Sequence, residues 1–197
     1  MKKLNLYFLM VLGATLAACN GTSNKGEANE TETTETTEEV KASKEQMTAR
    51  AQLSSASGSG ATGEATFTDL GEGEVTLKLT IENATPGEHA VHLHENGDCS
   101  APDASSAGGH WNPAGVEHGK RPVDMQFHAG DIDNLVVGED GKGELTMTVA
   151  GWSIGGSDST NIINKAVIVH AEADDFESQP SGAAGKRIAC GVIKKTE

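Results

Sequence analysis

Basic residues are scarce in this chain, which has 15 lysines and arginines against 29 aspartates and glutamates and a formal net charge of −14. Proteins that bind nucleic acid present concentrated positive charge to phosphates, so this deficit argues against such a partner. An apolar run at residues 4–18 is too short and wrongly flanked for a lasting membrane span. No ten-residue stretch repeats apolar residues at a helical period, so the chain is not expected to be helical.

The N-terminus has the features of an export signal. Lys2 and Lys3 precede the apolar run, which ends in the sequence LAAC at Cys19. Small residues before a cysteine resemble a bacterial lipoprotein signal, in which residues 1–18 are removed and Cys19 carries lipid. An ordinary signal peptide with an incidental cysteine is the alternative. The next residue, Asn20, is not the aspartate that retains some lipoproteins at the inner membrane, which favours a lipid anchor in the outer membrane, facing the periplasm.

Residues 19–46 are predicted to form a disordered tether behind the anchor. After Cys19 the segment repeats threonine and glutamate and contains one large aliphatic residue, Val40. Such a segment cannot bury enough apolar surface to offset its chain entropy. We therefore expect a solvated spacer that leads to one folded domain at residues 47–197, a length of about 150 residues that suits a single domain.

The domain is predicted to consist of β-strands. Residues 75–81 (VTLKLTI) and 145–149 (LTMTV) alternate apolar and polar side chains, as a strand with one buried face does. Turn signals separate these two from six other candidate strands, at residues 49–57, 62–69, 88–95, 132–137, 165–170 and 187–193. Roughly eight short strands predict an all-β, antiparallel sandwich or barrel.

Two irregular segments interrupt the strands: a first loop at residues 96–131 and a second loop at residues 171–186. A long segment without secondary structure inside a compact domain is usually functional. All seven histidines of the chain lie between His89 and His170, and three of them are in the first loop. Isolated core histidines would not concentrate in this way, so the pattern predicts a metal site.

The histidines fall into groups with ligand spacing. His92 and His94 alternate along a predicted strand, so they share a face while Val91 and Leu93 enter the core. Two imidazoles on one face can bind one ion, although two surface histidines would give the same pattern. A tetrahedral zinc set of three imidazoles and one carboxylate is available in the first loop: His110, His118, His128 and Asp131.

The remaining candidates lie nearer the C-terminus. His170 ends a predicted strand, and Asp174 and Asp175 follow it. Either carboxylate could accept a hydrogen bond from a ligand imidazole, or be a solvated loop charge. Cys99 and Cys190 are the two cysteines of the exported domain, so a disulfide is their default pairing.

Five motifs together resemble the copper/zinc superoxide dismutase family, in its secreted bacterial branch. They are HAVHLHENGDC, GGHWNP, HAGD, VIVHAEADD and GKRIACGVI, and they occur in that family's order and at closely similar spacings. The spacing from His118 to His128 is one residue longer than in the familiar cytosolic enzymes. The resemblance covers nearly the whole domain. It implies an eight-stranded Greek-key β-sandwich closed like a barrel, with long metal-binding loops.

The resemblance also implies roles for individual residues. Copper would be bound by His92, His94, His110 and His170. Zinc would be bound by the bridging His110 together with His118, His128 and Asp131. Asp174 would accept hydrogen bonds from His92 and His118, and Cys99 and Cys190 would form the intrachain disulfide. Arg187 would guide the anion to copper, with His110 as the proton-handling ligand, and His89 would be a framework residue.

The implied activity is dismutation of superoxide to dioxygen and hydrogen peroxide, with one redox-cycling copper and one structural zinc per chain. The second loop is shorter than in the familiar cytosolic enzymes, so their anion-steering loop does not transfer, and the available cations are Lys120, Arg121, Lys186 and Arg187. A non-enzymatic copper-binding or copper-delivery module, a copper-only relative and a zinc-stabilised adhesion domain are the alternatives. Whether the chain is a monomer or a homodimer is left open.

Overall fold

The computed structural model describes residues 46–196. The predicted signal peptide, the lipid site at Cys19 and the tether up to residue 45 lie outside the described residues and stay predictions. Within residues 46–196, no helix has the length and apolar character needed to cross a membrane. The ten strands are β1 (Thr48–Ser55), β2 (Thr62–Gly71), β3 (Glu74–Glu82), β4 (Gly87–His89), β5 (Val91–His94), β6 (Leu135–Val137), β7 (Gly143–Ala150), β8 (Ala166–His170), β9 (Arg187–Val192) and β10 (Lys194–Lys195). One short 3-10 turn, Ser105–Ala107, lies in the first loop.

The strands form one antiparallel sheet that nearly closes into a barrel. Its order is β4-β6-β7-β3-β2-β1-β9-β8-β5, and β10 pairs with β1. Strands β4 and β5 stand at the two ends of this order, yet only Ala90 separates them in the chain. The two edges of the sheet must therefore meet there. The predicted all-β, antiparallel barrel is confirmed.

The predicted strand at residues 88–95 is divided in two at Ala90. Before Ala90 the chain pairs with β6, and after it the chain pairs with β8. The Ala90 N–H donates to the Glu172 carbonyl (2.8 Å), and the Ala90 carbonyl accepts from the His170 N–H (2.9 Å). The change of partner, which periodicity cannot show, places His92 and His94 beside β8 and the second loop.

The core follows from the alternation seen in the sequence. On β3, Val75, Leu77, Leu79 and Ile81 are buried, while the residues between them are partly or fully exposed. Each such side chain contributes about 1.5–3 kcal/mol on burial. Trp152 packs against Phe67 with ring centroids 6.2 Å apart, and its Nε1–H donates to the Ala129 carbonyl (2.7 Å). The hydrogen bond from the core residue Trp152 thus attaches the end of the first loop to the core.

Candidate metal centre

Strand β5 presents His92 and His94 on the face opposite its core residues Val91 and Leu93. The sequence predicts this common face, but the imidazoles do not reach solvent, because both histidines are at most 1% exposed. The first loop covers them: Asp131 forms an isolated β-bridge with His92, and His110 forms one with His94.

Four histidines converge at this place and form what we call the four-histidine cluster. Their candidate ligand atoms all lie within 4.8 Å of one another: His92, His94, His110 and His170. One buried nitrogen of each has no hydrogen-bond partner, namely His92 Nδ1, His94 Nε2, His110 Nε2 and His170 Nε2. An unsatisfied buried polar atom costs about 1–3 kcal/mol, so four in one place fit a bound metal ion.

The second nitrogen of three of these rings faces an acceptor. His92 Nε2 lies 2.7 Å from Asp174 Oδ2, His94 Nδ1 lies 2.9 Å from the Gly108 carbonyl, and His170 Nδ1 lies 3.3 Å from the Gly185 carbonyl. The hydrogen-bond network therefore assigns the proton to that nitrogen and the lone pair to the unpartnered one. Each ring is oriented as a metal ligand is.

Three rings of the four-histidine cluster, those of His94, His110 and His170, are uncharged at neutral pH. Burial lowers the pKa of His94 to about 2 and that of His170 to about 3. Burial also lowers the pKa of His110 to about 4, although Asp131 opposes the shift. Neutral imidazole is the form that binds a metal ion, so none of these three rings has to lose a proton to bind one ion.

A second group, which we call the Asp131 cluster, consists of His110, His118, His128 and Asp131. His110 Nδ1 lies 2.9 Å from Asp131 Oδ1, and His118 Nδ1 lies 3.0 Å from Asp131 Oδ2. His128 Nδ1 lies 3.4 Å from Asp131 Oδ1 and 3.2 Å from His110 Nδ1. Ligand atoms in a tetrahedron with bonds of about 2.0–2.1 Å are about 3.3–3.4 Å apart, so these spacings suit zinc.

His92 also has a ligand atom within 4.8 Å of those of His110, His118 and Asp131. We assign the fourth place to His128, because its Nδ1 directly contacts two of the ligand atoms. His128 Nε2 lies 3.1 Å from the Val116 carbonyl and donates to it, which leaves the lone pair on Nδ1.

Charge in the Asp131 cluster differs from that in the four-histidine cluster. Burial lowers the pKa of His118, but hydrogen bonds to Asp131 and Asp174 outweigh it and raise the pKa to about 9. Burial opposes ionisation of Asp131, yet its hydrogen bonds with His110, His118 and His128 hold its pKa well below the usual range. A metal ion that binds here displaces the proton of His118. The positive charge of the ion then replaces that of the imidazolium beside Asp131 and Asp174.

His110 belongs to both clusters. Its Nδ1 faces Asp131, and its Nε2 faces the four-histidine cluster. The His92 and His110 rings lie 3.8 Å apart between centroids. Once its remaining N–H proton is displaced by the second ion, one imidazole could therefore bind two ions, one on each nitrogen.

Asp174 joins the clusters from the second loop. Its Oδ2 accepts from His92 Nε2 (2.7 Å), and its Oδ1 accepts from His118 Nε2 (2.9 Å). Its main chain is held by Asn134, which accepts from the Asp174 N–H (2.8 Å) and donates to the Asp174 carbonyl (3.0 Å). Of the two carboxylates that the sequence left open, the exposed Asp175 instead caps a local turn.

Arg187, the first residue of β9, lines the same cavity as His94, His110 and His170. Its Nη1 donates to the Ala104 carbonyl and its Nη2 to the Gly108 carbonyl, both at 2.6 Å. Burial lowers the pKa of the guanidinium, while Asp103 opposes the shift. Arginine nevertheless stays cationic at any working pH.

The disulfide between Cys99 and Cys190 fastens the start of the first loop to β9. Small and aliphatic side chains pack around it, among them Ala104, Ala166 and Ile168. Because Ala104 also accepts from Arg187, the disulfide holds the segment that positions the guanidinium.

Two of the cations offered by the sequence are engaged elsewhere. Arg121 donates to several main-chain carbonyls, including those of His128 and Asp131, and stacks over the Phe127 ring at 4.4 Å. Lys120 Nζ lies 4.7 Å from the centre of the Phe176 ring. Arg121 therefore supports the first loop rather than the cavity.

Other residues have structural roles. His89 lies outside both clusters, with its nitrogens 2.8 Å from the His170 and Thr85 carbonyls, as suits a framework histidine. The sequence reasoning missed Asn134, Gln179 and Gly182, which contact the clusters across loops. No local signal distinguishes such residues from ordinary loop amides and glycines.

Comparisons with known proteins agree with this geometry. Residues 61–193 match the family model described as copper/zinc superoxide dismutase (SODC). A curated relative, superoxide dismutase [Cu-Zn] 2 of Brassica juncea, is 38% identical over 143 residues, which are 70% of this chain and 91% of that protein.

Solved structures give the same result. The clock protein EA4 has a TM-score of 0.66 and 36% identity, covering 74% of this chain and 92% of that one. A double mutant of a SOD-like protein from Bacillus subtilis has a TM-score of 0.65 and 36% identity, covering 73% and 95%. With its fold, its two histidine clusters and these matches, the chain belongs to the copper/zinc superoxide dismutase family.

Proposed function

We propose that the protein dismutates superoxide at a copper ion in the four-histidine cluster, with zinc in the Asp131 cluster. One observation carries the proposal: four unpartnered buried nitrogens converge, three of their rings line one cavity with Arg187, and one of those three also faces the Asp131 cluster. Two superoxide anions and two protons give one dioxygen and one hydrogen peroxide. A bound copper ion supplies the one-electron redox couple for both halves of this reaction.

Arg187 attracts and orients the anion. Its two hydrogen bonds to the Ala104 and Gly108 carbonyls fix the position of the guanidinium, and therefore of its positive charge, beside the cavity. The whole chain carries a net charge of −14, so the approach of an anion depends on the local field at this cation.

His110 handles the proton. Its Nδ1 faces the Asp131 cluster, so a proton can be gained or lost at Nε2 without turning the ring. The His110 ring lines the same cavity as Arg187, where the anion would be held. His110 Nε2 is therefore placed to pass a proton to the product.

Zinc would serve the structure of this site. Asp131, His118 and His128 hold one side of His110 and draw the first loop together. The cluster leaves no wide opening for a small molecule, since His118 and His128 are at most 5% exposed. These features suit a closed, structural metal site.

A non-enzymatic copper-binding module on the same fold is the second candidate. It is favoured by the similarity to the Bacillus subtilis protein, which is described as SOD-like. A module without turnover would not need a cation beside the copper position, whereas Arg187 is held there by two short hydrogen bonds. This contrast favours the enzyme.

The test is metal content and superoxide dismutation on one purified sample of the full chain. One copper and one zinc per chain, with turnover that disappears when copper is removed and returns when it is restored, would support the enzyme. Copper bound at full occupancy without turnover would favour the binding module. Zinc bound without copper would reject both candidates.

We also propose that the domain is lipid-anchored through Cys19 at a bacterial outer membrane, on the periplasmic side. The support is the short basic and apolar signal followed by LAAC. Replacement of Cys19 by alanine should release the protein from the membrane fraction. A mature chain that keeps residues 1–18, or that lacks lipid at Cys19, would contradict the proposal.

A further inference from the structure

Gln179, in the second loop, lies outside both clusters but contacts the main chain of one of their members. Its Oε1 accepts from the main-chain N–H of His118 at 2.9 Å. Its Nε2 donates to the main-chain carbonyl of the same residue at 2.9 Å. One side-chain amide thus pairs with both main-chain polar groups of His118, as a neighbouring strand would.

His118 is consequently held by the second loop at three points. In addition to the two bonds from Gln179, its Nε2 donates to Asp174 Oδ1 at 2.9 Å. His128 differs, because its main-chain N–H donates to Asp131 and its Nε2 lies against Val116, both within the first loop. The placement of His118 therefore depends on a loop that supplies no ligand to the Asp131 cluster.

The turn that carries Gln179 is held by hydrogen bonds among its own residues. The Asp175 carboxylate accepts from the main-chain N–H groups of Glu177 (3.0 Å) and Ser178 (2.8 Å). The Asp175 N–H donates to the Gly182 carbonyl (3.0 Å), and the Gly182 N–H donates to the Ser178 carbonyl (2.6 Å). A turn ordered in this way presents the Gln179 amide in one position, so little freedom is lost when it binds His118.

We propose that Gln179 is a positioning residue for zinc: its amide sets the main chain of His118 so that Nδ1 points at the ion. The proposal rests on the zinc site of the proposed function. Residues that orient a metal ligand typically change metal affinity about 10- to 100-fold when they are replaced. Gln179 acts on the main chain of the ligand, so we expect an effect near the lower end.

The test measures zinc affinity of the full chain by competition with a chromogenic chelator. Gln179→Met keeps the length of the side chain and removes both hydrogen bonds, and it should weaken zinc binding about tenfold. Gln126→Met is the matched control, because Gln126 is exposed in the first loop and its side chain makes no hydrogen bond among the described residues. This control should bind zinc as the unchanged chain does.

The visible spectrum of a bound cobalt ion separates positioning from simple support. Cobalt(II) placed in the zinc site should give an altered visible spectrum in Gln179→Met and an unaltered one in Gln126→Met. Gln179→Asn, which keeps an amide but is one methylene shorter, gives a milder variant if Gln179→Met folds poorly, and it should shift affinity in the same direction.

The outcomes are distinct. Unchanged zinc affinity and cobalt spectrum in the Gln179 variants would overturn the proposal, whether or not the metal-free protein loses stability. Failure of the unchanged chain to bind zinc would overturn the zinc site of the proposed function itself. Weaker zinc binding confined to the Gln179 variants would support the inference.

Discussion

Gly182 lies directly against the carboxylate of Asp174, at the point where that carboxylate joins the two clusters. A Cβ atom on Gly182 would come within 1.7 Å of Asp174 Oδ1 and 2.8 Å of His118 Nε2. The Gly182 main chain also has a φ of +61°, a conformation that favours glycine. The bridge between the clusters therefore requires the absence of a side chain at this position.

We predict that Gly182→Ala separates Asp174 from His118 and weakens zinc binding. Overpacking and strain of this kind cost about 1–3 kcal/mol each, so the free energy of unfolding should fall by at least that amount. Chelator competition and denaturant unfolding would measure the two effects. Gly58→Ala is the matched control, because Gly58 has a φ of +70° but nothing within 4 Å of its added Cβ. Equal zinc affinity in the two variants would contradict the prediction.

Replacement of His170 by alanine should abolish turnover while the domain still folds. The change removes one of the four unpartnered nitrogens of the four-histidine cluster and leaves the Asp131 cluster whole. We expect copper content to fall, zinc content to remain, and the circular dichroism spectrum to match that of the unchanged chain. Full activity in this variant would disprove the assignment of copper to the four-histidine cluster.

Arg187→Ala should slow dismutation about tenfold or more and flatten its dependence on ionic strength, because local positive charge raises the capture rate of an anion about 10- to 1,000-fold. Stopped-flow rates at several salt concentrations would measure this. Lys186→Ala is the control, since Lys186 is an exposed neighbouring cation whose side chain makes no hydrogen bond or ion pair among the described residues. A rate in Arg187→Ala as fast as that of Lys186→Ala would remove the guiding role.

The metal-free protein should lose stability as the pH falls from about 6.5 towards about 3. Burial lowers the pKa of His94 to about 2 and that of His170 to about 3, from the usual histidine value of 6.5. Between those values the unfolded chain binds more protons than the folded one, so the free energy of unfolding falls with pH by up to ~1.4 kcal/mol per unit for each ring. Denaturant titrations at several pH values would measure the slope.

His118 should have the opposite dependence in the same metal-free protein. Against the effect of burial, its hydrogen bonds to Asp131 and Asp174 raise its pKa to about 9. Its stabilisation is complete below a pH of about 6.5 and is lost as the pH rises through about 9. In a His94→Gln, His170→Gln double variant the fall in stability below a pH of about 6.5 should become shallower, with the share due to His110 remaining, and the loss of stability at high pH should be unchanged. If the double variant loses stability below a pH of about 6.5 as steeply as the unchanged chain does, the attribution of this loss to His94 and His170 is contradicted.

Much of the fold could be predicted from the sequence because it depends on local periodicity. The alternation of Val75, Leu77, Leu79 and Ile81 identified β3 and its buried face, and the eight predicted strands all have counterparts. The break at Ala90 could not be predicted, because both halves of that stretch alternate normally and only their partners differ.

The candidate site shows the same division. Histidines at ligand spacing can be recognised in the sequence, because chance seldom places all seven histidines of a chain between residues 89 and 170. The choice between Asp174 and Asp175 could not be made there, because adjacent carboxylates are alike until one of them meets His92 and His118. Arg121 and Arg187 likewise could not be told apart in the sequence, because only tertiary contacts show that Arg121 supports the first loop and that Arg187 lines the cavity.

By itself the sequence determined which chemical groups this protein has, the strands that carry them and the family to which they are similar. Only the tertiary structure decided which nitrogen of each histidine keeps its lone pair, which loop amide holds His118, and where a glycine is obligatory. The physical reason is the separation along the chain of the residues that interact. Periodicity is set by neighbours along the chain, whereas these decisions are made by contacts such as that between His118 and Gln179, 61 residues apart, whose geometry exists only after the barrel has formed.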